Sequence, residues 1–203
     1  MTKIALIDYG IGNLRSVEKA LGVVGAEVML TSDPGVILTA EKVVLPGVGA
    51  FGDGMAGLQA RGLVEVVQTL VAREMPLLGI CVGMQVLFEV SYELGTHAGL
   101  GSLPGQVRRF EGDGLKVPQT GWNQLIPEGE HLLLKGLPLK SYAYFNHSYF
   151  CDVANPVDVV ARTDYGVCYA SVVGRGRLYG VQFHPEKSQQ VGLQILRNFV
   201  ENG

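Results

Sequence analysis

Cysteine is scarce in this chain: Cys81, Cys151 and Cys168 are the only three among 203 residues. An odd, sparse set with no Cys-x-x-Cys pair excludes a disulfide framework and a thiolate zinc site, and no metal or organic cofactor is expected. Charge is also thin. Charged residues make up 17%, and 16 Lys and Arg against 19 Asp and Glu leave a formal charge of −3. A mildly acidic chain offers no electrostatic footprint for nucleic acid and no polybasic membrane contact. No apolar run approaches the roughly 20 residues of a bilayer span. The first residues, Met1 to Asp8, carry one positive charge and are interrupted by Asp8, so they read as a buried strand rather than a signal peptide. The expected location is cytoplasmic, with Cys151 and Cys168 structural.

What the chain has in quantity is apolar residues, at 47%. Its length suits one domain over residues 1–203. The first half alternates strand and helix signals: strands at 3–8, 26–31, 41–45 and 76–80, and helices at 13–24, 55–73 and 83–91. Asn13 is a plausible N-cap for the first helix. This order predicts an α/β fold, with a mostly parallel central sheet and flanking helices. The second half changes character. Short strand-like segments at 106–110, 116–126, 141–150, 157–163, 168–173 and 176–183 predict additional mixed or antiparallel strands. A helix at about 188–201 closes the chain.

The sharpest local feature is Gly79-Ile80-Cys81-Val82-Gly83, between an apolar strand and a helix. It reads either as a buried core cysteine in a tight glycine turn or, as the strand-then-helix context favours, as a G-x-nucleophile-x-G elbow with Cys as the nucleophile. The turn sets the sulfur at a helix N-terminus, where free N–H groups favour thiolate, and aims the Val82 N–H at a developing oxyanion. Downstream, Val181-Gln182-Phe183-His184-Pro185-Glu186 ends a strand in a histidine, where α/β sites gather. On an extended chain Glu186, at i+2, shares a side with His184 and can orient it. His97 and His131 read as loop or surface residues. His147 has no independent chemical role in this reading. Leu45-Pro-Gly-Val-Gly-Ala-Phe-Gly52 is a small-residue loop whose backbone can approach a ligand.

Asp8-Tyr-Gly-Ile-Gly-Asn13 suggests dinucleotide binding at first sight. The fingerprint needs a third glycine at position 15, where Arg15 stands. The segment reads instead as a tight turn into a helix. It leaves Tyr9, Ile11, Asn13 and Arg15 exposed for contact with a substrate or partner.

Gly-Ile-Cys-Val-Gly-Met-Gln (79–85) together with Phe-His-Pro-Glu (183–186) resembles the class I (triad) glutamine amidotransferases, over essentially the whole chain. The family's flavodoxin-like sheet agrees with the strand–helix order. More narrowly, the chain is similar to the glutaminase subunits of imidazole glycerol phosphate synthases, in histidine biosynthesis. That likeness rests on Asp8–Asn13, Leu45–Gly49, Gly121-Trp122-Asn123, Tyr144–Tyr149 and His184–Ser188.

The resemblance implies that Cys81 is the nucleophile, His184 the general base and acid, and Glu186 its orienter. It implies that Gly49, Gln85, Ser148 and Tyr149 bind glutamine and that the amides of Val48 and Val82 form the oxyanion hole. Ile11, Asn13, Trp122 and Lys187 match interface positions toward a (β/α)8-barrel cyclase subunit, in a heterodimer. The cyclase would receive the ammonia. The Pro46–Gly49 segment is expected to rearrange when that partner is occupied, and the isolated subunit to be nearly inactive. Many family members have Leu where this chain has Val82, which changes a side chain and leaves the backbone donor.

Three alternatives stay open at this point. They are another glutaminase subunit with the same triad, a cysteine peptidase or esterase on a related elbow, and a binding module without activity. Protection of the thiol from alkylation by glutamine separates the glutaminases from the other two.

Overall fold

The computed structural model describes residues 1–203. Its strands are β1 (Lys3–Ile7), β2 (Glu27–Thr31), β3 (Lys42–Leu45), β4 (Leu77–Ile80), β5 (Phe88–Ser91), β6 (His97–Ala98), β7 (Leu103–Arg109), β8 (Gln119–Gln124), β9 (Ile126–Pro127), β10 (Tyr142–His147), β11 (Tyr149–Val153), β12 (Val159–Asp164), β13 (Cys168–Arg175) and β14 (Leu178–Val181). Its helices are α1 (Leu14–Val23), α2 (Pro34–Thr39), α3 (Phe51–Ala60), α4 (Val64–Ala72), α5 (Val82–Gln85) and α6 (Gln189–Asn202).

The central sheet runs β2-β1-β3-β4-β14-β13-β12-β9. The five strands from β2 to β14 are parallel, and β13, β12 and β9 continue antiparallel. Strands β3, β4 and β14 are buried at every residue, as strands covered on both faces must be. Helix α1 packs with α6, while α4 packs with α2 and α3. The parallel strands all point their C-terminal ends the same way. That edge therefore gathers the loop after β1, the Pro46–Ala50 loop, the elbow after β4 and the segment after β14.

Two smaller sheets, β10-β8 and β11-β7-β5-β6, complete the fold, the latter packed on β13. One cluster of 56 buried apolar residues, from Ile4 to Val200, runs through both halves, so the later strands share the core of the earlier ones. Full burial of one such Leu or Ile contributes about 1.5–3 kcal/mol. No helix is long and apolar enough to cross a membrane.

Several expected elements differ. The helix expected at 55–73 is two helices, because Gly62 (φ +65°) ends α3. Its N–H bonds Gln59 O at 3.0 Å and Leu63 N–H bonds Leu58 O at 2.9 Å, a Schellman stop that turns the chain. The helix expected at 83–91 is one turn, after which Phe88–Ser91 pairs with β7 and β6. Tertiary pairing overrides the local pattern there. The strand expected at 141–150 divides at Ser148, where the chain leaves β8 for β7. Helix α2, capped by Asp33 Oδ1 on Gly35 N at 2.7 Å, was not anticipated. Asn13 does precede α1, but its side chain makes no capping bond; only its carbonyl accepts, from Ser16 and Val17.

Tyr9, expected on the surface, is fully buried. Its hydroxyl donates to Pro46 O at 2.5 Å, which satisfies the phenol inside the fold and pins the loop that follows β3.

Candidate active site

The elbow begins with Cys81 N–H bonded to Val181 O at 2.8 Å, which ties it to β14. Cys81 then takes φ 54°, ψ −112°, a backbone state that L residues rarely occupy. Strain of this kind costs roughly 1–3 kcal/mol and persists only where the surroundings impose it. Gly83 shows what imposes it. A Cβ there would collide with the carbonyl of Leu45, so α5 rests backbone-on-backbone against the end of β3. A Cβ on Gly47 would meet Gly83 N at 2.6 Å and Tyr9 Oη at 2.8 Å. The glycines thus interlock the elbow with the Pro46–Ala50 loop.

Because α5 has only four residues, its dipole is small. What it contributes is free donors. Met84 and Gln85 both donate to Cys81 O, whereas Val82, the first helical residue, has no intrahelical acceptor.

His184 follows β14. Its N–H donates to Tyr144 O at 2.9 Å. Its Nδ1 meets Glu186 Oε1 at 3.0 Å, and His184 lines the same cavity as Cys81. Burial alone would lower the imidazole pKa. Interaction with Cys81 and Glu186 outweighs burial and raises it to about 10. The group is therefore a cation beside the sulfur and the carboxylate at neutral pH.

Glu186 does not reach His184 along an extended chain, as the i, i+2 argument assumed. Pro185–Lys187 form a 3-10 turn that folds the carboxylate under the ring. Ser188 secures this turn: its Oγ donates to His184 O at 2.7 Å and accepts from Tyr144 N at 2.9 Å. The Glu186 side chain is 1% exposed, and its Oε2 has no partner. A buried carboxylate with one partner depends on that partner's charge.

These groups open into a cavity of about 290 Å³. Cys81, His184, Gln85, Val48, Gly49, Val82, Ser148, Tyr149 and Lys187 all line it, so the expected catalytic, binding and oxyanion residues converge, except that Glu186 lies behind His184. Ser148 and Tyr149 lie at the joint between β10 and β11, which places them there.

The expected interface residues form two groups on the same edge. Ile11 and Asn13, half-buried, sit in the loop after β1, with Ile11 packed against the core. Trp122 is 45% exposed and stands edge-on to Tyr144, over whose ring Lys187 Nζ lies at 5.7 Å.

Two residues near the site escaped the reading of the sequence. Glu93 is the one carboxylate lining the cavity; its Oε2 accepts from Phe51 N at 2.6 Å, and burial pushes its carboxyl up. Gln182 is fully buried and touches both Gln85 and Cys81. Its signal was available. On a strand end Gln182 is two residues before His184 and so shares its side.

His147, without a role in the sequence reading, lines the cavity wall. Its Nδ1 meets Tyr149 O at 2.7 Å and its Nε2 meets Tyr169 Oη at 3.3 Å. A carbonyl only accepts, so Nδ1 carries the proton. His131, expected in a loop or on the surface, is half-buried. It accepts from Leu133 N at 3.2 Å and stands edge-on to Tyr179.

Burial lowers the His147 pKa to about 4. Unfolded histidine takes a proton near 6.5. Between those values the unfolded state binds the extra proton, so stability falls as pH is lowered from about 6.5 to 4, by roughly 3 kcal/mol in total at 1.36 kcal/mol per unit. His147→Gln should flatten that part of the stability profile, measured by urea unfolding at a series of pH values. An unchanged slope would refute the assignment.

The family model described as Glutamine amidotransferase class-I matches residues 5–202. The imidazole glycerol phosphate synthase subunit HisH of Symbiobacterium thermophilum is 49% identical over 199 residues, covering 98% of this chain and 93% of that protein. The HisH subunit of Dehalococcoides mccartyi strain CBDB1 is 52% identical over 196 residues, covering 97% and 95%. Among solved structures, PurLQS from Thermotoga maritima aligns with a TM-score of 0.76 over 98% of this chain and 97% of that one, at 19% identity, which speaks to fold alone. This chain belongs to the class-I glutamine amidotransferases and, within them, to the family of imidazole glycerol phosphate synthase HisH subunits.

Proposed function

We propose that this chain, as a single domain over residues 1–203, hydrolyses glutamine with Cys81, His184 and Glu186. We further propose that it passes the ammonia to a (β/α)8-barrel cyclase subunit, as half of a cytoplasmic heterodimer in histidine biosynthesis. One observation carries the reading: an elbow cysteine, a histidine raised to about 10 and a buried carboxylate stand in series at the wall of one cavity.

The chemistry follows from the positions. The Cys81 thiolate attacks the side-chain carbonyl carbon of glutamine, and the electron pair moves to oxygen. That oxyanion rests on the amides of Val82 and of the Val48–Gly49 loop. His184, protonated and held by Glu186, delivers its proton to the leaving nitrogen, and ammonia departs from a γ-glutamyl thioester. Water then gives a proton back to His184 and attacks the thioester, releasing glutamate and the thiolate. No step needs a metal or an organic cofactor. Gly49, Gln85, Ser148 and Tyr149 hold the amino acid. Glu93 supplies the negative charge that an α-ammonium requires.

The reading is supported by membership of the HisH family and by the place of Lys187 at the cavity, beside Tyr144 and Trp122. The test is glutamate release from glutamine by the chain alone and with the cyclase and its nucleotide ligand. Stimulation of tenfold or more is expected, within the usual span of coupling between sites, about 5–150-fold. Hydrolysis indifferent to the partner would move the chain to a different amidotransferase, and no hydrolysis in either condition would sink the reading.

A further inference from the structure

Gln182 has no part in the triad, yet a fully buried carboxamide needs partners for its polar atoms. Its backbone N–H is anchored on Ser171 O at 2.9 Å. Its Oε1 accepts from Gln85 Nε2 at 3.1 Å, and its Nε2 donates toward Cys81 Sγ at 3.8 Å. Gln85 Nε2 spends its other hydrogen on Tyr149 O at 3.0 Å.

The directions of these bonds are set by chemistry. The Tyr149 carbonyl can only accept, so Gln85 must turn its NH2 inward. Gln182 must then offer its oxygen to Gln85, which leaves its NH2 for the sulfur. Flipping Gln182 would oppose two NH2 groups and press a carbonyl against the thiolate. With both Nε2 hydrogens of Gln85 committed to the interior, Oε1 is the polar atom it has left for the cavity that it lines.

We propose that Gln182 is a further catalytic residue, whose N–H stabilises the Cys81 thiolate and whose carbonyl fixes Gln85 so that Gln85 Oε1 accepts from the carboxamide N–H of glutamine. A fixed acceptor at that point rejects the carboxylate of glutamate, because two acceptors cannot pair. The same relay therefore activates the nucleophile and distinguishes substrate from product.

The inference rests on the glutaminase reading, and its test separates the two. Alkylation of the full-length chain by iodoacetamide is followed across pH, with the label at Cys81 quantified by peptide mass spectrometry because the exposed Cys168 also reacts. Gln182→Glu keeps an oxygen for Gln85 but sets a negative charge against the sulfur. Its Cys81 alkylation at pH 7 should fall about tenfold or more and recover as pH rises, with the KM for glutamine in the cyclase complex little changed. Gln182→Met removes both contacts, so alkylation should fall and KM should rise roughly tenfold.

Wild-type alkylation profiles in both variants would overturn the proposal. Should Gln182→Met fail to fold, the nearly isosteric Gln182→Glu decides alone. Failure of glutamine to protect wild-type Cys81 would instead overturn the glutaminase reading. Intact protection with unmoved variants sinks only the role of Gln182.

Discussion

Cys81→Ala is expected to lower glutamine hydrolysis by roughly ten-thousandfold or more, because no other group in the cavity can form the thioester. The fold should survive. Cys81 is buried, but the change removes one sulfur and leaves the Cβ. The companion variant Cys81→Gly tests the strain at this position. Glycine usually costs about 0.5–1 kcal/mol against alanine in regular structure. At φ 54°, ψ −112° the order should invert, with Cys81→Gly the more stable by roughly 1–3 kcal/mol while equally inactive. Urea unfolding of both variants, beside glutamate release in the cyclase complex, checks the pair. Residual hydrolysis in Cys81→Ala within tenfold of wild type would remove Cys81 from the mechanism. A more stable alanine variant would mean that the elbow holds no strain.

The proposed triad was legible because its residues sit in two short contiguous motifs whose neighbours carry their own signals: glycines round a cysteine, and a histidine at a strand end. The parallel half of the sheet was legible for a similar reason. Strand β4 is an unbroken apolar run, β3 is one after Lys42, and the loops between elements are short. The residues that escaped reach the site by tertiary routes. Glu93 follows β5, whose four residues form a strand only because β6 and β7 pair with them. Gln182 stands between Val181 and Phe183, in a run that reads as plain core. Only its spacing of two from His184 marks it in the sequence, and its contact with Cys81 marks it in the structure. Tyr9 misled in the opposite direction. Beside two glycines it looked like a surface residue, whereas a backbone carbonyl 37 positions away gives its hydroxyl a buried partner. Glu186 shows an expected pairing reached by another geometry, since the sequence supplied the pair and a 3-10 turn, not strand alternation, brings it together.

Gly83→Ala should be among the most damaging single methyls in the protein. Its Cβ would collide with Leu45 O and lie 2.8 Å from Leu45 C and 3.1 Å from Pro46 C. All three atoms are backbone, so no side chain can rotate aside. Either α5 or the end of β3 must move, at a cost of about 3 kcal/mol or more. The displaced segment would be Leu45–Gly49, whose Val48 and Gly49 line the same cavity as Val82. Any folded fraction should therefore lose hydrolysis as well, through separation of the two proposed oxyanion donors. The control is Gly22→Ala. Gly22 is exposed within α1 with open space at its Cβ, and alanine there should stabilise by about 0.5–1 kcal/mol. Parallel urea titrations and glutamate release separate these outcomes. Two alanines with the same small effect would show that the elbow does not rest on β3, and the origin of the strain at Cys81 would have to be sought elsewhere. A large loss at position 83 alone, together with a gain at position 22, ties reactivity to packing. The contact that forces Cys81 into its unusual backbone state would then be the same one that brings the Pro46–Ala50 loop within reach of the substrate.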